Sequence, residues 1–164
     1  MLPESAGSRQ GSMTELETRI HQEIVSAMKR RDQSSLIPLR MLKAAVDNAR
    51  IERGRDEPFS EDDVFAIIRK LVKQRMESAG QFKAGGAIDR VDEELREAQL
   101  LSSFLPPAMS DEDIAAEARK VIASVVGKGP SDMGRVMGPC MAAMKGKAEG
   151  ARVRKIVEDI LGSL

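Results

Sequence analysis

Residues 98–114 read AQLLSSFLPPAMSDEDI. Pro106 and Pro107 stand between two stretches of helical periodicity. Each proline lacks a backbone donor and steers the residue before it away from helical dihedrals, so no helix runs through the pair. Upstream, Ile88, Val91, Leu95, Ala98 and Leu101 recur at three- and four-residue spacing. Downstream, Ser110 is placed to cap a helix with the stripe Ile114, Ala118, Val121, Ile122 and Val125. Two helical bodies joined at Leu105-Pro106-Pro107 are therefore predicted.

Further upstream, Ser60-Glu61-Asp62-Asp63 opens a helix whose stripe Val64, Ile68, Leu71, Val72, Ala79 and Phe82 runs to Gly85-Gly86. Asp63 takes the place of the usual Glu of a capping box. Before it, Ser34 or Ser35 is expected to cap a helix ending at Gly54, with Pro38 in its first turn. Leu39, Leu42, Val46 and Ala49 mark one face of that helix, and Ile37, Met41, Ala44 and Ile51 broaden it. So wide an apolar circumference predicts packing on more than one side. The first helix begins near Thr14, with Leu16, Ile20, Ile24, Val25 and Met28 inward and Lys29-Arg30-Arg31 at its C-terminal end. Residues 1–12, MLPESAGSRQGS, show no periodicity and read as a disordered leader or an appended remnant.

Downstream of the prolines, Gly127-Lys128-Gly129-Pro130 is a turn and Ser131 is expected to cap the next helix. That helix carries Met133, Met137, Met141 and Met144. Lys145-Gly146-Lys147 breaks it, and a last helix holds Val153, Ile156, Val157, Ile160 and Leu161. The predicted fold is all-α. An N-terminal helical domain of about four helices covers residues 13–106, and a small three-helix tail domain covers 107–164.

Composition narrows the chemistry. The 164 residues hold 26 basic and 26 acidic side chains, no Trp or Tyr, and four Phe. Strands favour aromatic and β-branched residues, so a β-sandwich is disfavoured. The apolar stretches are too short for a membrane span, no secretory signal opens the chain, and the expected location is cytoplasmic. With one cysteine, Cys140, there is no internal disulfide and no multi-thiolate metal site. With one histidine, His21, a Cys–His couple would have to be those two. No phosphate loop, zinc-protease or calcium-loop pattern appears. Neither a catalytic residue, a metal site nor a cofactor is expected, and the balance leans to a binding or adaptor protein.

Cys140 is a candidate thiol nucleophile, but its place on the methionine face reads as a small core residue. His21 has no acid, serine or cysteine tied to it in sequence, so a surface or boundary position is expected over a general base. The methionine stripe can be a repackable partner groove or the core seam of a small three-helix unit, and the simple helical spacing favours the seam.

Charge is distributed unevenly. Between residues 135 and 155 stand Arg135, Lys145, Lys147, Arg152, Arg154 and Lys155 against one acid, Glu149. A basic segment with glycine-bearing turns suits phosphate contacts. The competing reading is a solvated face with Arg154–Glu158 and Lys155–Asp159 pairs at i, i+4. Lacking Trp and Tyr, the chain offers little for base stacking, so an RNA partner would be read through its shape and backbone.

Five motifs then stand in order: Arg40-Met41-Leu42-Lys43-Ala44-Ala45, Lys73-Gln74-Arg75-Met76-Glu77-Ser78, Phe104-Leu105-Pro106, Asp132-Met133-Gly134-Arg135-Val136-Met137-Gly138 and Lys145-Gly146-Lys147-Ala148-Glu149-Gly150. Together they make residues 13–164 resemble the GatB/YqeY family, most closely its free-standing YqeY-like members. These are similar to the C-terminal helical and tail regions of the B subunit of the tRNA-dependent amidotransferase. The resemblance implies a helical domain plus a three-helix tail, a link to tRNA or another structured RNA through that tail, and amidotransferase subunits as a second class of partner. The family label, carbon–nitrogen ligase with glutamine as amido-N-donor, belongs to the whole enzyme, whose kinase-like and amidase parts are absent from this stretch. Two positions depart from the family pattern. Ala84-Gly85-Gly86-Ala87 lacks the arginine usual after Ala-Gly. Lys147 and Glu149 replace Arg and Asp in the tail motif, and Lys does not make Arg's bidentate phosphate contact. The expectation is an RNA-binding adaptor without an active site, or, as the alternative, a protein–protein module retaining the fold. No oligomeric state is indicated.

Overall fold

A computed structural model describes residues 13–54 and 56–164; the expected leader, residues 1–12, lies outside the described residues. The described residues hold no strand. The α-helices are α1 (Glu15–Arg30), α2 (Gln33–Arg53), α3 (Glu61–Ala84), α4 (Ile88–Ser102), α5 (Asp111–Ser124), α6 (Met133–Ala143) and α7 (Gly150–Gly162). A short 3-10 turn, Pro130–Asp132, precedes α6. The protein is all-α, as its periodicity predicts. Two compact units divide between Phe104 and Leu105.

In the first unit local chemistry fixes each helix start. Thr14 caps α1, its Oγ1 accepting from the Glu17 N–H at 3.2 Å, while Glu17 accepts from the Thr14 N–H at 2.7 Å. Ser60 and Asp63 form the same reciprocal box on α3, so the shorter Asp does serve there. Asp32, not Ser34 or Ser35, caps α2: its Oδ1 accepts from the Ser35 N–H at 3.1 Å. A carboxylate outcompetes a hydroxyl for that donor. Because α2 starts at Gln33, Pro38 falls in its second turn and not the first. Gly86 adopts φ 76 in the tight turn between α3 and α4, a left-handed conformation that glycine takes at no steric cost.

The core of this unit includes Leu16, Ile20, Ile24 and Ala27 of α1, Leu36, Leu39, Leu42 and Val46 of α2, Val64 and Ile68 of α3, and Ala98 and Leu101 of α4, with Phe104 beyond. Val25 and Met28 lie off the inward stripe of α1 and are exposed. α2 does pack against α1, α3 and α4, but not through the broadened apolar face. Ile37, Met41 and Ile51 are 57%, 49% and 76% exposed, and Ala44 is exposed as well.

The tail unit closes α5, α6 and α7 around Ile114, Ala118, Val121, Ile122, Val136, Cys140, Met144, Ala148, Val153, Val157 and Leu161. No charged side chain is buried in this core. Ser110 caps α5 as expected, accepting from the Asp113 N–H at 3.1 Å. Ser131 does not cap α6. It sits inside the 3-10 turn, which Asp132 holds by accepting from the Lys128 N–H at 2.8 Å. The methionine seam is also redrawn. Val136, Cys140 and Met144 point inward, Met133 and Met137 flank them, and Met141 is exposed: the inward face is centred on the 136–140–144 row, and Met141, about 100° round the helix from Cys140, falls outside it.

Candidate nucleic-acid interface

The Lys145-Gly146-Lys147 turn is fixed from both sides. The Lys147 N–H donates to the Met144 carbonyl at 2.9 Å, and the Met109 N–H donates to the Lys147 carbonyl at 2.8 Å. Gly146 has φ 68, which excludes most side chains there. Ala148 and Met144 are buried on either side. The backbone of the turn is thus pinned while the Lys145 and Lys147 side chains are exposed. Immediately after it, Glu149 precedes α7 without a side-chain cap. The first amide donors of α7 thus have no side-chain cap from Glu149 and follow closely on the two lysines, an arrangement that favours anions.

Val153, Val157 and Leu161 turn inward, which directs Arg152, Arg154 and Lys155 outward. The three do not act alike. Arg152 donates to Asp111 and to the Met109 carbonyl, closing α7 onto the start of α5. Arg154 and Lys155 carry no ion pair among the described residues, so the expected pairs with Glu158 and Asp159 are not formed. Arg135 lies elsewhere: it pairs with Asp132 at 3.3 Å and reaches the Val125 carbonyl, at the end of the unit where α5 finishes and α6 begins. The six basic residues therefore do not share one end. Lys145, Lys147 and Arg152 gather where α6 passes into α7, and Arg135 sits a helix length away.

The glycines of the tail motif add a feature that charge counting misses. Gly134 and Gly138 lie four residues apart on the outer face of α6, and a Cβ at either would meet nothing within 4 Å. Glycine inside a helix costs about 1 kcal/mol relative to alanine. Nothing in the fold requires it at Gly134; at Gly138 the following Pro139, inside the same helix, crowds any side chain on the residue before it, which gives glycine a local reason there. The pair leaves helix backbone bare to an approaching partner. At Gly150 a Cβ would meet the Met141 methyl at an ordinary 3.6 Å.

The remaining motif residues serve structure or stand on the first unit. Arg75 is half-buried against Glu94, at 3.5 Å, and Glu97, at 3.1 Å, tying α3 to α4. Arg40, Lys73 and Glu77 are exposed, Ser78 is half-buried, Asp132 holds its turn, and Met133 packs on the tail core.

Cys140 and His21, the two candidates for nucleophile and base, lie in different units. Cys140 is fully buried, and burial, with the Glu117 charge, pushes its thiol above the ordinary range, which keeps it protonated and unreactive. His21 is exposed on the rim of a cleft of about 360 Å³ between α1 and α2, lined also by Ile20, Val46, Lys43 and Asp47. Among the described residues no three His, Cys, Asp or Glu side chains are grouped to hold a metal ion. Nor is any described helix long and apolar enough to cross a membrane.

Residues 17–161 match the family model described as Yqey-like protein. A curated relative, Altered inheritance of mitochondria protein 41, mitochondrial, from Eremothecium gossypii, is 33% identical over 107 residues. That match covers 64% of this chain and 58% of the relative, so the chain spans less than two thirds of the relative's length.

Proposed function

The chain belongs to the YqeY-like family, and on that premise we propose that it is an adaptor that grips tRNA or another structured RNA by its tail. It has no active site of its own and is linked to tRNA-dependent amidotransfer, if at all, through separate catalytic subunits. One observation carries the reading. Lys145 and Lys147 project from a turn whose backbone is pinned, beside the uncapped start of α7, with no carboxylate paired to either among the described residues. Arg154 and Lys155 extend the same uncompensated charge along α7. The bare backbone at Gly134 and Gly138 supports close approach of a phosphodiester chain. The compartment is one that holds tRNA, the cytoplasm first; the name of the E. gossypii relative puts that protein in the mitochondrion.

A salt titration of tRNA binding tests this. About three to five phosphate contacts give a slope of log affinity against log salt of roughly −2 to −4. Replacing Lys145 and Lys147 together by Ala should flatten the slope by about one to two units and weaken unrelated sequences alike. The melting curve should stay where it was, since exposed charges contribute little to stability. Equal slopes in the two proteins, or no tRNA binding at low salt, would remove the tail from RNA recognition.

A further inference from the structure

The outer face of α2 is a largely apolar stripe that no helix of the described residues packs over. Ile37, Met41, Ala44, Asn48 and Ile51 follow one another at four- and three-residue intervals, so they line one side of the helix. That side is opposite the buried Leu39, Leu42 and Val46. Scattered exposed apolar residues are ordinary, but five positions in helical register with no charge among them are not. The stripe widens toward α3, where Arg75 Nη2 lies 3.5 Å from Met41 Sδ and the neighbouring Met76 is 51% exposed.

We propose that this face is where a second copy of the chain docks, its α2 antiparallel to the first and Ala44 on the two-fold axis. The ends of the stripe are symmetric about Ala44. Reversed, it sets Ile37 against Ile51 of the other copy and the small Ala44 against itself, where the helices come closest, while Met41 and Asn48, three and four residues from Ala44, fall one residue out of step with each other. The charges agree with that register. Arg40 and Asp47 lie on the same flank of the stripe, and in an antiparallel pair each stands opposite the other's counterpart. Arg40 has no ion pair among the described residues, while Asp47 pairs only with Lys43, an exposed contact at 2.5 Å that leaves it available. No like charges meet along the stripe. A two-fold pair of this kind is isologous, so the same few residues form both halves.

The area sets the strength. Ile37 to Ile51 spans about 21 Å at about 1.5 Å per residue, and a helix is about 10 Å wide. The stripe alone therefore falls below the roughly 800 Å² per partner of a standard interface. The dimer is expected to be weak, populated at tens to hundreds of micromolar in the manner of small transient interfaces.

Sedimentation equilibrium of the full chain, freed of nucleic acid and followed from about 5 µM to about 1 mM, a range chosen to bracket such weak interfaces, tests the proposal. The wild type should pass from monomer to dimer. Ile51→Glu should raise the dissociation constant at least about tenfold, the effect of removing one good contact, without lowering the melting temperature. Arg40→Asp alone and Asp47→Arg alone should each weaken the dimer, and the two together should restore it, a rescue that only this register gives. Ala44→Cys should cross-link to itself when oxidised glutathione takes up the two electrons and two protons released as one S–S bond forms. The buried Cys140 of the wild type should not. A chain that stays monomeric throughout, a dimer indifferent to Ile51→Glu, or a dimer whose charge swaps show no rescue would overturn the proposal. So would a dimer in which Ala44→Cys fails to cross-link.

Discussion

Arg50 in the first unit donates to both oxygens of Glu17 at 2.6 Å and lies over the Phe59 ring, 4.6 Å from its centre. Lys145 and Lys147 in the tail stand on a pinned turn with no carboxylate at hand. The contrast extends across the two units. The first joins its helices with half-buried ion pairs, Glu17–Arg50 between α1 and α2 and Arg75 with Glu94 and Glu97 between α3 and α4, and with a more exposed one, Arg53–Asp63, between α2 and α3. The tail has an entirely apolar core, and each of its ion pairs has at least one well-exposed partner. Charge in the first unit therefore works as joints between helices. In the tail Arg152–Asp111 joins α7 to α5, but the charge of Lys145, Lys147, Arg154 and Lys155 is left facing outward, where a partner can use it.

The largest expected effect tests the joints. Glu17→Ala removes the cap on the Thr14 N–H and strands Arg50 in a site where it is 29% exposed. Losing a half-buried charged partner and a cap together should cost about 2–4 kcal/mol. Burial alone would push the Glu17 carboxyl up, but hydrogen bonds from Thr14 and Arg50 and the arginine charge overcome this, and the group sits below its ordinary value. A carboxylate with a lowered folded pKa contributes stability above its unfolded pKa and loses it as pH falls through the folded one. Wild type should therefore melt progressively earlier on acidification through the carboxylate range, and Glu17→Gln should show a shallower dependence from a lower start. A chemical-denaturation series against pH reads both. If Glu17→Ala cost no more than a tail lysine, the joint reading of the first unit would fail.

How much of this was legible in the sequence follows the same divide. Helix number, the double-proline break, the Thr14 and Ser60 starts and the tail core all follow from periodicity and capping chemistry, which are local. The joints do not. Glu17 and Arg50 are brought together by packing across 33 residues of chain, with Phe59 laid on Arg50, and nothing in their spacing announces it. The cap of α2 was misplaced because Asp32 and Ser34 compete for one donor, and only the geometry decides. In the tail, the basic segment was visible as charge, but its division was not. Arg135 and Arg152 are drawn to Asp132 and Asp111, and Asp111 lies 41 residues away from Arg152. The open face at Gly134 and Gly138 was visible only as two glycines in a motif, since their surroundings are a property of the folded unit.

A middle-sized effect with two opposite readouts sharpens the tail side of the contrast. Gly134→Ala places a methyl group where nothing lies within 4 Å and should stabilise α6 by about 0.5–1 kcal/mol through lower helix-backbone entropy loss. Gly138→Ala should lose that gain, because its methyl group stands before the helical Pro139, whose ring crowds it. Hydrogen exchange of the α6 amides measures this within the tail, without relying on a single global transition. The same substitutions should weaken tRNA binding if the bare backbone is approached by a phosphodiester. Slower exchange with unchanged binding would leave the lysine turn as the interface and take α6 out of it.

The smallest expected effect falls on the joint that looks least well made. Arg75 faces two glutamates, and its Nε lies 3.1 Å from Glu97 Oε2. That contact lacks hydrogen-bond alignment, and this buried oxygen accepts no hydrogen bond from any described residue. Burial pushes the Glu97 carboxyl up; Arg75 opposes this, while Glu94 and Glu93 add to it. A carboxyl whose folded pKa is raised binds its proton more tightly in the folded state, so its ionised form costs stability at pH values above that pKa. Below the unfolded pKa the cost is gone. Glu97→Gln keeps the shape, removes the charge and leaves Arg75 to Glu94. It should raise stability at pH 7 by about 0.5 kcal/mol, the scale of a mild substitution. The gain should fade as pH falls through the carboxylate range, because wild type then carries the proton as well. Thermal melts of the two proteins at pH 7 and pH 4 give the comparison. A loss of stability at pH 7 would show instead that attraction to Arg75 outweighs burial, and Glu97 would join Glu17 as a stabilising joint of the first unit.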